Sequence, residues 1–203
     1  MDENTPISIL AKEFSKLPGI GNKTALRMAY FYVQNKNNIT PLISSLDNIY
    51  RSVEKCKICN LITYKDSNPC KYCADGIRNK QLICIVENDT DVAQIEKSNS
   101  FKGVYHILGG LISPLSNISH NDLEIESLKN RVINNDDNFE IIIATNFTTE
   151  GEATSLFIRQ YLKDIRNVKF SRLANGLPFG SNLEYVDSYT IGKAIERRID
   201  YDN

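Results

Sequence analysis

Four short apolar runs, LICIV (82–86), VYHI (104–107), EIIIA (140–144) and VKFSRL (168–173), do most to restrict what this chain can fold into. They are short and rich in β-branched residues, which favours strands over buried helices. Between them lie stretches with helical patterning at 90–97, 122–133 and 150–162. Strands that are apolar throughout and alternate with helices of this size predict parallel βαβ units with both faces of the sheet covered. The expected fold class is α/β.

The first 54 residues read differently. Ile7, Leu10, Ala11, Phe14 and Leu17 recur at helical spacing, which predicts a helix over 7–17 with one buried face. Pro18 and Gly19 stop it, and a second helical pattern runs over 23–33. A third starts at Thr40 and Pro41, read as an N-cap and first helical residue, and continues through Leu42, Leu46, Ile49 and Val53. At the far end, LEYVD (183–187) reads as an apolar strand ending in Asp187, followed by a last helix that Thr190 can cap.

Cys56, Cys59, Cys70 and Cys73 form C-x2-C-x10-C-x2-C. Two such turns brought together supply four thiolates at the tetrahedral geometry that Zn²⁺ prefers, and four protein ligands leave no open position for catalysis. One structural zinc per chain is expected. The polar segment around the cysteines has too little apolar content to fold alone, and isolated zinc peptides gain about 10–16 kcal/mol from the metal. The N-terminus MDENTPISIL lacks the pattern of a signal peptide, and no apolar stretch is long enough to span a membrane. A cytoplasmic location is expected, and disulfides are the weaker explanation there. Cys84, inside LICIV, reads as a buried free thiol, and His106 as a packing histidine.

The stretch LPGIGNKTALR (17–27) ends one helix, turns through two glycines and opens the next. Backbone N–H groups at a helix N-terminus form a phosphate site, and Gly19 and Gly21 would let a phosphate approach closely. Lys23 and Arg27, one helical turn apart, would flank it on one face. These four residues are the candidate DNA contacts, to the backbone and not to base sequence. Charge agrees: residues 1–80 carry 12 Lys and Arg against 7 Asp and Glu, whereas residues 81–203 carry 12 against 18. A basic first part suits a polyanion, and an acidic second part suits a basic protein or a divalent cation.

LPGIG resembles the hairpin of helix-hairpin-helix DNA repair proteins. Followed by the four cysteines, HILGGLISPLSNI (106–118), ATNFTTEGEAT (144–154) and SRLANGLPFGSNLEYVD (171–187), it is similar to the RecR family of bacterial recombination mediators over nearly the whole chain. The resemblance implies a helix-hairpin-helix module at 1–54, a zinc module at 55–79, a Toprim domain at 80–172 and a C-terminal Walker B-like arm at 173–203. It further implies a non-enzymatic DNA clamp that assembles as a ring-shaped tetramer. Such a clamp works with RecO or RecF and helps load RecA on gapped single-stranded DNA, in association with the nucleoid.

The Toprim resemblance sharpens one question about chemistry. Catalytic Toprim enzymes pair a glutamate after the first strand with D-x-D after a later one to hold Mg²⁺. Here Glu87 follows LICIV, but against ATDxDREGEA this chain reads ATNFTTEGEA, with Asn146 and Thr148 in place of the aspartates. Neutral oxygens are weak Mg²⁺ ligands, so phosphoryl chemistry is disfavoured. Glu87, Asp89, Asp91, Glu150 and Glu152 are expected to form an acidic edge offered to a basic partner. A Mg²⁺-dependent nuclease or topoisomerase with a degenerate site is the alternative, and a zinc-stapled protein adaptor without DNA affinity is a third. HILGGLISP lacks the lysine of a Walker A loop, so nucleotide hydrolysis is not expected.

Overall fold

The computed structural model describes residues 4–133, 137–174, 176–177 and 179–198. Positions 175 and 178 of SRLANGLPFG and residues 199–203 of the C-terminal arm lie outside them. The chain divides into two compact units, Met1–Glu54 and Lys55–Asn203.

The first unit is helical: α1 (Pro6–Ser15), α2 (Asn22–Gln34) and α3 (Ile39–Ser52). Thr5 caps α1, its hydroxyl accepting from the Ser8 N–H at 3.2 Å, and Pro6 fills the first helical position, where no N–H partner is needed. Only Ala25 and Ala29 of α2 are fully buried, small residues that let α1 approach closely. The predicted buried face of α1 is at best half-buried, and Leu17 is exposed. A unit of this size cannot enclose three amphipathic helices, so apolar side chains stay at its surface. Two readings need correction here. Thr40 is not the cap of α3, which continues from a 3₁₀ turn at Lys36–Asn38 through Ile39, leaving Pro41 within the first turn, where its missing N–H costs nothing. Val53 has left the helix and opens strand β1 (Val53–Lys55).

The second unit holds a four-stranded sheet of β3 (Asn79–Val86), β4 (Gly103–Ile107), β5 (Phe139–Ile143) and β6 (Val168–Arg172), all parallel, in the order β4-β3-β5-β6. All four match the apolar runs, and α5 (Asp89–Lys97), α6 (Ile125–Ile133) and α7 (Thr149–Tyr161) match the helical stretches between them. One side of the sheet packs Ile83, Ile85, Val104 and Ile141 against Leu128, Val132 and Ile158 of the helices. The other cluster joins Cys84, Val86, Tyr105 and Ile107 to Val92 of α5 and to all four motif cysteines. The cysteine segment, with β1 and β2 (Ile62–Tyr64) as a small two-stranded sheet and α4 (Lys71–Ala74), thus shares a core with the large sheet.

At the C-terminal end, Leu183–Tyr185 is a 3₁₀ turn and not a strand, and α8 (Ser188–Glu196) follows. Asp187 is the cap of α8: its carboxylate accepts from the Thr190 N–H at 2.9 Å and the Thr190 hydroxyl at 2.7 Å. The capping role assigned to Thr190 therefore belongs to Asp187, because a carboxylate at the N-cap accepts from the N3 amide, which Thr190 itself supplies.

Candidate functional site

The four cysteine sulfurs lie within 4.8 Å of one another, and among the described residues they are the one group of three or more His, Cys, Asp or Glu side chains so gathered. All are buried. Cys59 Sγ stands 3.5 Å from Cys70 Sγ, and the Cys70 N–H donates to Cys56 Sγ at 3.3 Å. None is in a disulfide. Hydrogen bonds among the sulfurs couple their protons: those from Cys59 and Cys73 hold the Cys70 thiol down, while those to Cys70 and Cys73 push the Cys59 thiol up. A divalent ion would replace those protons, so four thiolates at this spacing fit a tetrahedral metal that binds with proton release.

Groups outside the motif support these turns. The Lys80 ammonium donates to the carbonyls of Cys73 at 2.9 Å and Tyr72 at 3.3 Å, and to that of Asp75, closing the end of α4. Arg131 of α6 lines the same cavity as Cys73 and donates to the Tyr105 carbonyl at 2.7 Å. Burial lowers its proton affinity while all four cysteines pull the other way; a guanidinium stays charged regardless, and it would offset the charge of the thiolates of a metal-bound centre. Neither residue has a sequence signal, since both act through a fold that brings distant segments together.

The carboxyl edge of the sheet brings Glu87, after β3, beside Asn146, after β5. Asn146 Nδ2 donates to Glu87 Oε2 at 2.8 Å. The amide therefore gives Glu87 a donor on the side where a second carboxylate would have needed a cation. Thr148, at the other replaced position, caps α7, its hydroxyl accepting from the Gly151 N–H at 3.1 Å. The remaining acids do not converge: no three of them lie within 4.8 Å among the described residues. Asp89 accepts from the Ile62 N–H at 2.6 Å, which ties β2 to α5, and Asp91 reaches back to the Asn88 N–H at 2.9 Å. Glu152 is ion-paired with Arg172, and Glu150 has no ion pair among the described residues. His106 and Cys84 are core residues, as expected.

In the first unit, Gly19 has φ +76°, a left-handed conformation that L side chains rarely adopt. Gly21 is the N-cap of α2 and supplies no side-chain oxygen, so among the described residues no N-cap side chain closes the first amides of the helix. Lys23 and Arg27 are exposed, on a different face from the buried Ala25 and Ala29.

A helical hairpin with an uncapped helix terminus, a cluster of four cysteines and a four-stranded parallel sheet together define a modular protein of the Toprim class. Family models agree: residues 7–48 match "RecR, helix-hairpin-helix", 81–174 "Toprim domain" and 176–199 "RecR, C-terminal". A protein named Recombination protein RecR from Pelobacter propionicus is 44% identical over 192 residues, covering 95% of each chain. Proteins of that name from Ligilactobacillus salivarius and Koribacter versatilis are 42% and 41% identical over 194 residues, covering 95% of this chain and 96% of theirs. The chain belongs to the RecR family of recombination proteins. No helix among the described residues is long and apolar enough to cross a membrane.

Proposed function

We propose that the protein is a non-catalytic DNA-binding clamp and recombination mediator in DNA repair. The observation that carries the reading is the open, exposed N-terminus of α2 flanked by Lys23 and Arg27, a phosphate cradle without base readout. Family membership supports the recombination role. The pairing of Asn146 with Glu87 supports a Toprim part that binds instead of cleaving. One structural zinc on Cys56, Cys59, Cys70 and Cys73 holds the knuckles against the sheet. Glu87, Asp91, Glu150 and Glu152 present an acidic edge to a basic partner, RecO or RecF, and the assembly helps load RecA on gapped single-stranded DNA.

Self-association into a ring-like tetramer is part of the proposal. It is supported by a groove of about 460 Å³ in the first unit, lined by Leu10, Phe14, Leu17, Leu42, Ile43 and Leu46. The protein acts in the cytoplasm, at the nucleoid. The test is DNA affinity as a function of salt for Lys23→Ala/Arg27→Ala. Each lost phosphate contact removes about 0.9 from the log–log slope, so the double variant should flatten it by roughly 1.8. An unchanged slope overturns the cradle, and Mg²⁺-dependent DNA cleavage abolished by Glu87→Ala would select the enzymatic alternative.

A further inference from the structure

Between α7, the end of β6 and the C-cap of α8 lies a cavity of about 430 Å³, lined by Glu152, Ser155, Arg159, Ser171, Arg172 and Arg197 among others. Glu152, Ser155 and Arg159 fall along one side of α7, at spacings of three and four residues. Three guanidinium groups thus face one carboxylate, an excess of two positive charges. Arg159 and Arg197 have no ion pair among the described residues, although the neighbouring Glu196 carboxylate feels the charge of Arg197.

Arg172 is held but not satisfied. Its Nη1 pairs with Glu152, and its Cζ lies 4.8 Å from the centre of the Phe147 ring, which fixes the plane of the group. Its Nε and Nη2 are buried and have no acceptor. Two unmet donors leave the Arg172 guanidinium short of acceptors, and because both atoms are closed to solvent a ligand in the cavity reaches them only with a local shift of the side chain. A cation or an apolar ligand would leave that shortage in place. An oxyanion meets it, and a planar guanidinium suits the oxygens of a phosphate.

We propose that this cavity binds a terminal phosphate, a phosphomonoester whose two negative charges match the excess. Ser155, buried on α7, offers a hydroxyl donor, while Leu156 and Phe170 give an apolar wall for the group that carries the phosphate. That chemistry has two sources, a free nucleotide or the 5′ end of a DNA strand. The site shares no residue with the hairpin cradle, so the two readings stand or fall separately.

The experiment titrates the full-length protein with inorganic phosphate and deoxyadenosine 5′-monophosphate by calorimetry. In parallel, a labelled oligonucleotide with and without a 5′ phosphate is followed by fluorescence anisotropy. The variants are Arg159→Gln and Arg197→Gln, both at exposed or partly exposed positions, with circular dichroism to confirm their folding. Saturable binding of a phosphate probe is expected, weakened about tenfold or more in each variant, with acetate a poor competitor. Binding of the mononucleotide identifies a nucleotide ligand, and a preference for the 5′-phosphorylated oligonucleotide identifies a strand end. Absence of saturable binding by every phosphate probe overturns the site, as does binding that both variants leave unchanged.

Discussion

Gly151 is where the EGEA segment acquires its physical meaning. A Cβ at this position would stand 2.0 Å from the Asn146 carbonyl oxygen and 3.0 Å from its carbonyl carbon. The first turn of α7 therefore lies directly against the loop that carries Asn146, and only a residue without a side chain allows it. Gly151→Ala should lower stability by about 3 kcal/mol, the upper range for forcing atoms into a packed site, and should weaken the Asn146–Glu87 contact. Denaturant unfolding checks the first effect, and a stability loss under about 1 kcal/mol would show that the loop yields easily. His106 gives a second prediction at this scale. Its Nε2 faces the Glu124 carbonyl at 2.7 Å, which can only accept, so the proton sits on Nε2 and the buried Nδ1 is left without a donor. Burial pushes its pKa down to about 4 from the ordinary 6.5. Above pH 6.5 the ring is neutral folded and unfolded, and its titration costs nothing. As pH falls from 6.5 to 4 the unfolded chain takes up a proton that the folded chain refuses, so stability drops, by about 3 kcal/mol in total. His106→Gln should show a flatter pH dependence of the unfolding free energy over that window, and equal slopes would remove His106 as the cause.

At the scale of elements, the cysteine segment and the sheet are joined by contacts that neither could supply alone. The Ile107 N–H of β4 donates to the Cys59 carbonyl at 2.8 Å, and the Tyr72 ring meets Tyr105 edge-on at 5.3 Å. Arg78 pairs with Glu96 of α5 at 2.7 Å, with both side chains largely shielded. Burial alone would raise the Glu96 carboxyl, but the Arg78 and Tyr105 donors outweigh it and hold the carboxyl down. Loss of the metal should therefore disturb the sheet face as well as the knuckles. Cys70→Ala is expected to lose bound zinc and the near-ultraviolet signal of the Tyr72–Tyr105 pair, as measured by metal analysis and circular dichroism. Full zinc content in that variant would remove Cys70 from the ligand set.

For the molecule as a whole, the first unit keeps Leu46, Ile49 and Tyr50 exposed, and Leu46 also lines its apolar groove, a surface that a second copy of the chain would cover in the proposed tetramer. Sedimentation equilibrium should give a mass of about four times the 23.0 kDa chain, and Leu46→Glu should reduce it. A wild-type monomer at all concentrations would exclude the ring.

Much of this protein is written locally, and so could be read from the sequence. The four strands and their helices follow from apolar runs and periodicity, and the gathering of the four cysteines from two C-x2-C turns, because each depends on neighbours within a few residues. Loss of the two aspartates was legible for the same reason. What Asn146 and Thr148 do instead was not, since one serves a glutamate 59 positions away and the other caps a helix whose start depends on Gly151 fitting against the loop. The burial of the cysteines in a core with Cys84 and Tyr105, Arg131 beside the thiolates, and three arginines gathered around one cavity all join segments far apart in the chain. Tertiary structure alone decided them, because charge and burial act through space and leave no periodicity along the sequence.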